Sequence, residues 1–288
     1  MFGNQALTRM THDEDIVAEA EALAGVSVPT GSVNTVASET AEAPKRNASH
    51  DSNPPPPLVS HPLNWRPNDG GHKPNDATRS VLNEVGGVAG ILKFTTLFYE
   101  NVFADPHLDT FIRDRTENHA ERFAFWIAEK LGDPAYPWTA DRSKRSVCPF
   151  ASHGLQFQTP HDRSSAHFAA WHSPKRLPGD FGVHFKLADC RVWMRVHFWS
   201  LRASGIAETS PSFTEYYVKF IAHFVSVYEQ MAPQFARESF RWSADEENVR
   251  KYLANGRVME NVLGVSDRDT LRQLPVDENA RGTDWPYC

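Results

Sequence analysis

The chain has 288 residues, a formal net charge of −6 and a sequence pI near 6.1. This weakly acidic balance provides no basic field for a phosphate backbone, so we expect no nucleic-acid partner. Its three cysteines are odd in number and far apart, unlike the disulfide framework of a small secreted protein. No run approaches the ~18 apolar residues of a membrane span, and the N-terminus lacks the pattern of a signal peptide. We therefore expect a cytoplasmic protein with no membrane partner.

Aromatic residues are unevenly distributed along the chain. Residues 1–78 are poor in aromatics, rich in Ser, Thr, Asn, Glu and Pro, and contain four consecutive prolines, Pro54 to Pro57. Such a segment cannot bury enough apolar surface to offset the entropy of ordering, so we predict a disordered N-terminal extension. The composition becomes aromatic from Arg79 and polar again after Pro233. This predicts one globular domain over 79–234 and a C-terminal extension over 235–288 that contains one short outer helix.

Within the domain, apolar positions recur at three- and four-residue spacing, which is typical of amphipathic helices. Ser80 can cap the first helix, and residues 134–159, with three prolines, are expected to form a loop. Two longer helices are predicted over Leu187–Ala203 and Ser212–Met231. Glycine and proline signals predict the ends of the first three helices at Gly86–Gly87, Asp105–Pro106 and Gly132–Pro134. No segment shows convincing strand alternation, so the predicted fold class is all-α.

The segment Pro160–His172 is unusually rich in histidine and lies among aromatic helices. Thr159-Pro160 is typical of a helix start, because threonine caps a helix and proline fits its first position. A short helix is therefore predicted to carry His161 to Trp171. Common enzyme signatures, including the phosphate loop, the dinucleotide fingerprint and the nucleophile elbow, are missing from the sequence. An imidazole in an apolar setting suits an iron porphyrin, which needs an axial ligand, a large apolar slot and a distal hydrogen-bonding group.

Two motifs and one tryptophan stand out between residues 80 and 232. They are Val85-Gly86-Gly87-x3-Ile91-x2-Phe94-x3-Phe98-Tyr99-x2-Val102-x2-Asp105-Pro106, then Glu121-Arg122-Phe123-x3-Ile127-x3-Leu131-Gly132, then Trp193. Together they resemble a truncated haemoglobin of the group that carries a tryptophan on its G helix. The resemblance covers about half the chain, the size of one ordinary domain. It implies a globin-like, two-over-two helical sandwich around haem b.

The resemblance also implies roles for residues on the distal side of the haem. Tyr99 corresponds to the distal position on the B helix, and Phe111 or Ile112 to the turn that packs on the porphyrin. Phe123 and Ile127 correspond to the distal helix. Without the resemblance, Tyr99 would be a half-buried core tyrosine, and Phe123 and Ile127 would be residues of an apolar helix stripe.

Two further residues receive a role, Trp193 from the resemblance and Arg163 from its position on the short helix. The resemblance implies that Trp193 lies near the bound ligand, although a large core side chain is its simpler use. Arg163 lies one helical turn before His167 and can pair with a haem propionate through a charge-assisted contact. A solvated surface arginine is the simpler alternative.

The proximal iron ligand is assigned from the start of the short helix. His167 ends the run Pro160-His-Asp-Arg163-Ser-Ser-Ala-His167, which is similar to the family's proximal helix, where a proline and an arginine precede the ligand. His172 is five residues further, a rotation of roughly 500° at the helical repeat, so only one of the two is the ligand. We take His167 as the first candidate, His172 as the second and His184 as the third. The segments on both sides of this helix are longer than in the family.

The expected function is the binding of O2 or another diatomic gas by ferrous haem b. Tyr99 and Trp193 are expected to donate hydrogen bonds to the bound ligand and to slow its release. Slow release favours gas sensing or redox chemistry, such as nitric oxide dioxygenation or peroxidase activity, over simple transport. Redox chemistry would need an electron donor, which the sequence does not identify.

Two other interpretations stay open. A zinc site could draw its four ligands from Cys148 and the nearby histidines His153, His161, His167 and His172, although their spacings match no common zinc finger. Alternatively, a globin-shaped domain without haem could serve as an interaction or sensor module, with the long extensions binding partners.

Overall fold

The computed structural model describes residues 57–66, 71–145, 163–227 and 232–259. Three predictions fall on residues outside these ranges. They are the disorder of residues 1–56, the helix start at Thr159-Pro160 and the tail 260–288. Strands β1 (Trp65–Arg66) and β2 (Gly71–His72) form one short antiparallel ladder in which Trp65 pairs with His72. All other regular structure in these ranges is helical. The all-α fold class is therefore confirmed for the described part of the chain.

The helices vary from one turn to five. In chain order they are α1 (Asp76–Glu84), α2 (Gly87–Ala104), α3 (Pro106–Asp109), α4 (His119–Leu131), α5 (Pro137–Arg142), α6 (Arg163–Trp171), α7 (Leu187–Ala203), α8 (Ile206–Thr209), α9 (Pro211–Val227), α10 (Ala232–Ala244) and α11 (Glu246–Ala254). A short 3₁₀ helix, Pro178–Asp180, precedes α7. The predicted bounds of Leu187–Ala203 are confirmed. The segment predicted as loop contains α5, because Pro137 occupies its first turn, where a backbone N–H is not needed.

Local side-chain chemistry explains where the first helices begin and end. Asn75, rather than the predicted Ser80, caps α1, because its side chain accepts from the Thr78 N–H at 2.9 Å. Gly86, with φ of 84°, adopts the left-handed conformation between α1 and α2. A Cβ at Gly90 would lie 1.6 Å from the Val85 carbonyl oxygen, so this close approach requires glycine. The buried Asp105 ends α2 and caps α3 by accepting from the His107 and Leu108 N–H groups.

The hydrophobic core lies between α2, α4, α7 and α9. Helix α2 packs on both α4 and α7, and Trp126 of α4 meets Phe220 and Phe224 of α9 with ring centroids 5.2 and 4.9 Å apart. The largest fully buried side chains of the described residues are those of Ile91, Phe94, Phe98, Ile127, Leu131, Met194, Phe213, Tyr216, Tyr217, Phe220, Phe224 and Phe240. No single described helix is long and apolar enough to span a membrane, although α1 and α2 pass that test together as a pair bent by 64°.

The packed unit begins before residue 79, where the predicted domain starts. The Val59 N–H donates to Ser212 Oγ at 2.9 Å, and the Asn64 N–H donates to the Tyr216 hydroxyl at 3.1 Å. His72 is 3% exposed, and its Nε2 lies 2.8 Å from the same hydroxyl. Hydrogen bonds to polar side chains of α9, rather than a dense apolar pattern, hold this segment, which explains why composition did not reveal it.

The packed unit also continues past residue 234. Helix α10 packs on α7 and α9, and the fully buried Phe240 meets Phe198 with ring centroids 5.5 Å apart. Trp242 and Tyr252 are buried in one cluster with Val192 and Val196 of α7. The C-terminal helices therefore form an additional layer over α7 instead of a separate extension.

Candidate functional site

A cavity of about 490 Å³ lies among α2, α4, α6, α7 and α9 and the turn after α3. Its volume falls within the range of roughly 300–1,000 Å³ that is usual for small-molecule sites. Aromatic and aliphatic side chains form most of the wall, and charged and histidine side chains form the rest. The apolar wall comprises Phe98, Val102, Leu108, Phe111, Ile112, Phe123, Trp126, Trp138, Phe185, Trp193, Ile221, Phe224 and Val225.

Tyr99 brings a hydroxyl to this wall from α2. Its ring contacts those of Phe98 and Phe103, with centroids 5.2 and 5.8 Å away. The side chain is half-buried, and it lines the cavity. Burial raises the pKa of Tyr99, so the hydroxyl stays protonated and can donate. Within the described ranges no group hydrogen-bonds to it, which leaves the donor available to a ligand.

Trp193 brings a second donor from α7. Its indole ring lies edge-on to Phe98 at 6.0 Å and to His197 at 4.1 Å. His197 is fully buried, and its Nδ1 lies 3.2 Å from the Tyr217 hydroxyl. The surrounding aromatic rings therefore hold Trp193 at the cavity wall. No described residue accepts a hydrogen bond from the indole N–H.

His167 lies in the opposite part of the wall, on α6. Ala166, Ala169 and Ala170 of the same helix also line the cavity, so this wall is formed by small side chains around one imidazole. The His167 ring meets Phe185 edge-on, with centroids 5.5 Å apart. The arrangement presents a nitrogen ligand within an apolar slot.

His172 lies on a different face of the α6 end and does not line the cavity. Its Nδ1–H donates to the Phe168 carbonyl at 2.9 Å, and its ring stacks on Phe168 with centroids 3.9 Å apart. A Cβ at Gly182 would lie 3.3 Å from His172 Nε2. The separation of His167 and His172 onto different faces follows the helical rotation between them.

The other predicted residues are divided between the wall and the core. Phe111 and Ile112 both line the cavity, and the Arg176 guanidinium lies 4.7 Å from the Phe111 ring centroid. Ile127 is fully buried in the core and does not reach the wall. Arg163 begins α6, but its side chain lies outside the described part of the structure.

The third histidine candidate is also outside the cavity wall. The His184 ring stacks on Trp171 with centroids 3.9 Å apart and an interplanar angle of 16°. It therefore supports the C-terminal end of α6 rather than facing the cavity.

His119 lines the cavity, and sequence reasoning did not single it out. It is the first residue of α4, four residues before Phe123, so helical spacing places it one turn away on the same face. Its ring stacks on Tyr99 with centroids 5.2 Å apart, and its Nε2–H donates to the Asp114 carbonyl at 2.6 Å. Burial lowers the pKa of His119 below its usual value. The spacing from Phe123 was the signal that could have identified it.

Charged side chains occupy another part of the wall. Arg122 of α4 pairs with Glu117, and Arg145 pairs with Asp141 while its guanidinium lies 4.1 Å from the Trp138 ring centroid. Asp189 on α7 accepts from the Lys186 N–H at 2.7 Å, and its other oxygen lies 2.7 Å from His107 Nε2. These pairs give the cavity wall a charged part beside its apolar part.

The described residues allow the two metal hypotheses to be compared only in part. In the described ranges, no group of three or more His, Cys, Asp or Glu side chains could hold a metal ion. The proposed zinc ligands Cys148, His153 and His161 lie outside those ranges. The cavity wall holds one imidazole from α6, the hydroxyl-bearing ring of Tyr99 and the indole of Trp193 among many apolar side chains, and haem binding needs an axial ligand, an apolar slot and a distal donor.

No protein-family model, curated protein or solved structure matches the chain.

Proposed function

We propose that the chain is a haem protein with a globin-like, two-over-two arrangement, and that it binds O2 or another diatomic ligand in the cavity described above. One observation carries the proposal. Five of the predicted site residues come from separate segments and line the same cavity. They are Tyr99, Phe111, Phe123, His167 and Trp193. All five are half-buried. Haem b would supply an iron atom with a coordination position for the diatomic ligand.

His167 would hold the iron. A neutral imidazole is a common axial ligand, and the neighbouring alanines leave space for a flat macrocycle beside it. Phe111 and Phe123 would pack against the macrocycle, since aromatic side chains contribute large apolar contact areas. His172, whose Nδ1–H is bonded to the Phe168 carbonyl outside the cavity, would not compete for the metal.

Tyr99 and Trp193 would donate hydrogen bonds to the diatomic ligand. Their O–H and N–H groups belong to side chains in the cavity wall and have no described protein acceptor. Next to apolar side chains, where the local dielectric constant is lower than in water, such donors stabilise a partial negative charge more strongly than they would in solution. Slow ligand release is therefore expected, which favours gas sensing or redox chemistry such as nitric oxide dioxygenation over transport.

A visible-light spectrum tests the proposal. The purified chain titrated with hemin should develop a Soret band that saturates at one equivalent. A colourless chain that retains zinc in elemental analysis would favour the zinc alternative. A folded chain that binds neither group would favour the interaction module without haem. We also propose that the protein is cytoplasmic and that a separate electron donor would reduce the haem iron.

A further inference from the structure

We infer that Ser60 is a phosphorylation site and that a phosphoryl group there releases residues 57–64, the strap, from α9. The strap belongs to no helix or strand, and Ser60 is exposed. A separate kinase can therefore bind this serine in an extended segment without opening a helix. The inference does not depend on the haem proposal, because none of the residues involved lines the cavity.

The strap lies along α9 and is attached to it mainly by hydrogen bonds. The Val59 N–H donates to Ser212 Oγ at 2.9 Å, and the Asn64 N–H donates to the Tyr216 hydroxyl at 3.1 Å. The side chain of Val59 is 50% exposed, and Leu63 is half-buried against the core. A segment with few buried apolar contacts opens locally more easily than a packed helix. A change at one polar contact can therefore release the strap.

Ser60 contacts a buried ion pair of α9. Its hydroxyl donates to Glu215 Oε1 at 2.8 Å, and Lys219 Nζ, which pairs with the same carboxylate, lies 3.4 Å from Ser60 Oγ. Glu215 is 9% exposed and Lys219 is 6% exposed. Among the described residues, no group hydrogen-bonds to the buried Oε2 of Glu215. The contact therefore depends on the proton that Ser60 donates and on the ammonium group of Lys219.

Phosphorylation removes the donor at this contact. The bond between the γ-phosphorus of a nucleoside triphosphate and the β–γ bridging oxygen breaks, and a bond from Ser60 Oγ to phosphorus forms. The hydroxyl proton passes to solvent, and the other product is the nucleoside diphosphate. A phosphoserine carries about −1.5 to −2 charge at pH 7 and three acceptor oxygens. The modified side chain can therefore no longer donate to the Glu215 carboxylate.

The added charge also repels the ion pair that it would have to contact. The phosphoryl group and the Glu215 carboxylate would compete for the ammonium group of Lys219, and like charges repel more strongly near a buried site than in water. Because Ser60 is exposed, the phosphoryl group keeps its hydration when the strap moves away from α9. Phosphorylation at Ser60 therefore favours the released strap.

Hydrogen exchange of two strap amides measures the release. The full-length chain is prepared with phosphoserine at position 60, and exchange is followed at Val59 and Asn64, whose N–H groups donate to α9. Both amides should exchange at least about tenfold faster than in the unmodified chain. Phosphoserine at position 143 is the matched control. Ser143 is exposed and donates to the Ala140 carbonyl, so its modification should leave both strap amides unchanged.

Glu215→Gln separates charge repulsion from the bulk of the phosphoryl group. In this variant Lys219 has lost its carboxylate partner, so a phosphoryl group at position 60 becomes its counter-ion. Phosphoserine should then slow the exchange of Val59 and Asn64 relative to unmodified Glu215→Gln. Faster exchange by the same factor with and without the carboxylate would overturn the inference, because the effect would not depend on charge.

A second pair of variants answers the same question if Glu215→Gln does not fold. Ser60→Asp and Ser60→Asn have side chains of similar shape and differ in charge, so the strap amides should exchange faster in Ser60→Asp. Equal exchange in these two variants would also overturn the inference. Mass spectrometry of the protein isolated from its own cells tests the modification itself. It should find phosphoserine at position 60, and an unmodified Ser60 under every growth condition would contradict the site.

Discussion

Tyr252 of α11 donates a hydrogen bond from its hydroxyl to Asp105 Oδ1 at 2.8 Å, which connects the C-terminal helices to the α2–α3 corner. Asp105 is fully buried, and its Oδ2 accepts from Arg195 of α7 at 2.8 Å. Burial and the Asp105 carboxylate raise the pKa of Tyr252, so its hydroxyl remains a donor. A buried carboxylate keeps its charge only with such partners. The C-terminal layer is therefore bonded to the helices that carry the cavity.

Replacing Tyr252 with Phe tests this connection. The variant removes one hydrogen bond to a buried carboxylate and should lower the free energy of unfolding by about 1.5–3 kcal/mol. Tyr136→Phe is a matched control, because Tyr136 is 63% exposed and should change stability by less than about 0.5 kcal/mol. Urea denaturation measures both variants. Equal midpoints for Tyr252→Phe and the wild type would show that the C-terminal layer does not stabilise the core through this bond.

The buried His72 should make the protein less stable in acid. Burial, its largest influence, lowers the pKa of His72 from 6.5 to about 3 in the folded chain. Between these two values the unfolded chain binds a proton that the folded chain does not, so stability falls as pH decreases from 6.5 towards 3. His72→Gln can still accept from Tyr216 but cannot titrate. The free energy of unfolding of His72→Gln should therefore fall less steeply with decreasing pH than that of the wild type. The two slopes should differ by up to about 1.4 kcal/mol per pH unit.

The measurement for His72 is the urea midpoint at several values between pH 7 and pH 4. The difference between the wild type and His72→Gln at pH 7 sets the baseline for their hydrogen-bonding and packing differences. Parallel stability curves for the two proteins across this range would contradict a titrating role for His72.

Tyr99→Phe should release O2 faster from the ferrous haem-loaded protein. The change removes a protonated hydroxyl from the cavity wall and leaves the ring contacts with Phe98 and Phe103 in place. Loss of one hydrogen bond of about 1–1.5 kcal/mol corresponds to a rate increase of roughly five- to tenfold. Stopped-flow displacement of O2 by carbon monoxide measures the rate. An unchanged off-rate would exclude Tyr99 as a donor to the ligand.

The sequence predicted the internal helices well because their burial produces a regular spacing. Phe94 and Phe98 are four residues apart and are fully buried, and the predicted bounds of Leu187–Ala203 match α7.

His167 and His172 show what helical spacing can and cannot predict. Rotation along a helix showed that His167 and His172 face different ways, but only tertiary packing shows which of them faces the cavity.

The parts that the sequence did not predict depend on contacts between distant segments. Phe240 is buried against Phe198, yet its own neighbourhood is polar enough to resemble an extension. His72 is buried through its partner Tyr216 rather than through a local apolar pattern. Ile127 follows the same stripe as Phe123, but only Phe123 lines the cavity, because Ile127 is fully buried in the core. Local periodicity cannot distinguish these positions.

The most direct measurement is the Soret spectrum of His167→Ala beside that of His172→Ala, with hemin added at one equivalent. The haem proposal predicts that His167→Ala loses the wild-type band and that added imidazole restores it by occupying the space left by the side chain. His172→Ala should keep the wild-type spectrum, because its imidazole lies outside the cavity wall. A wild-type spectrum in His167→Ala, or loss of the band in His172→Ala alone, would contradict the assignment of His167 as the iron ligand.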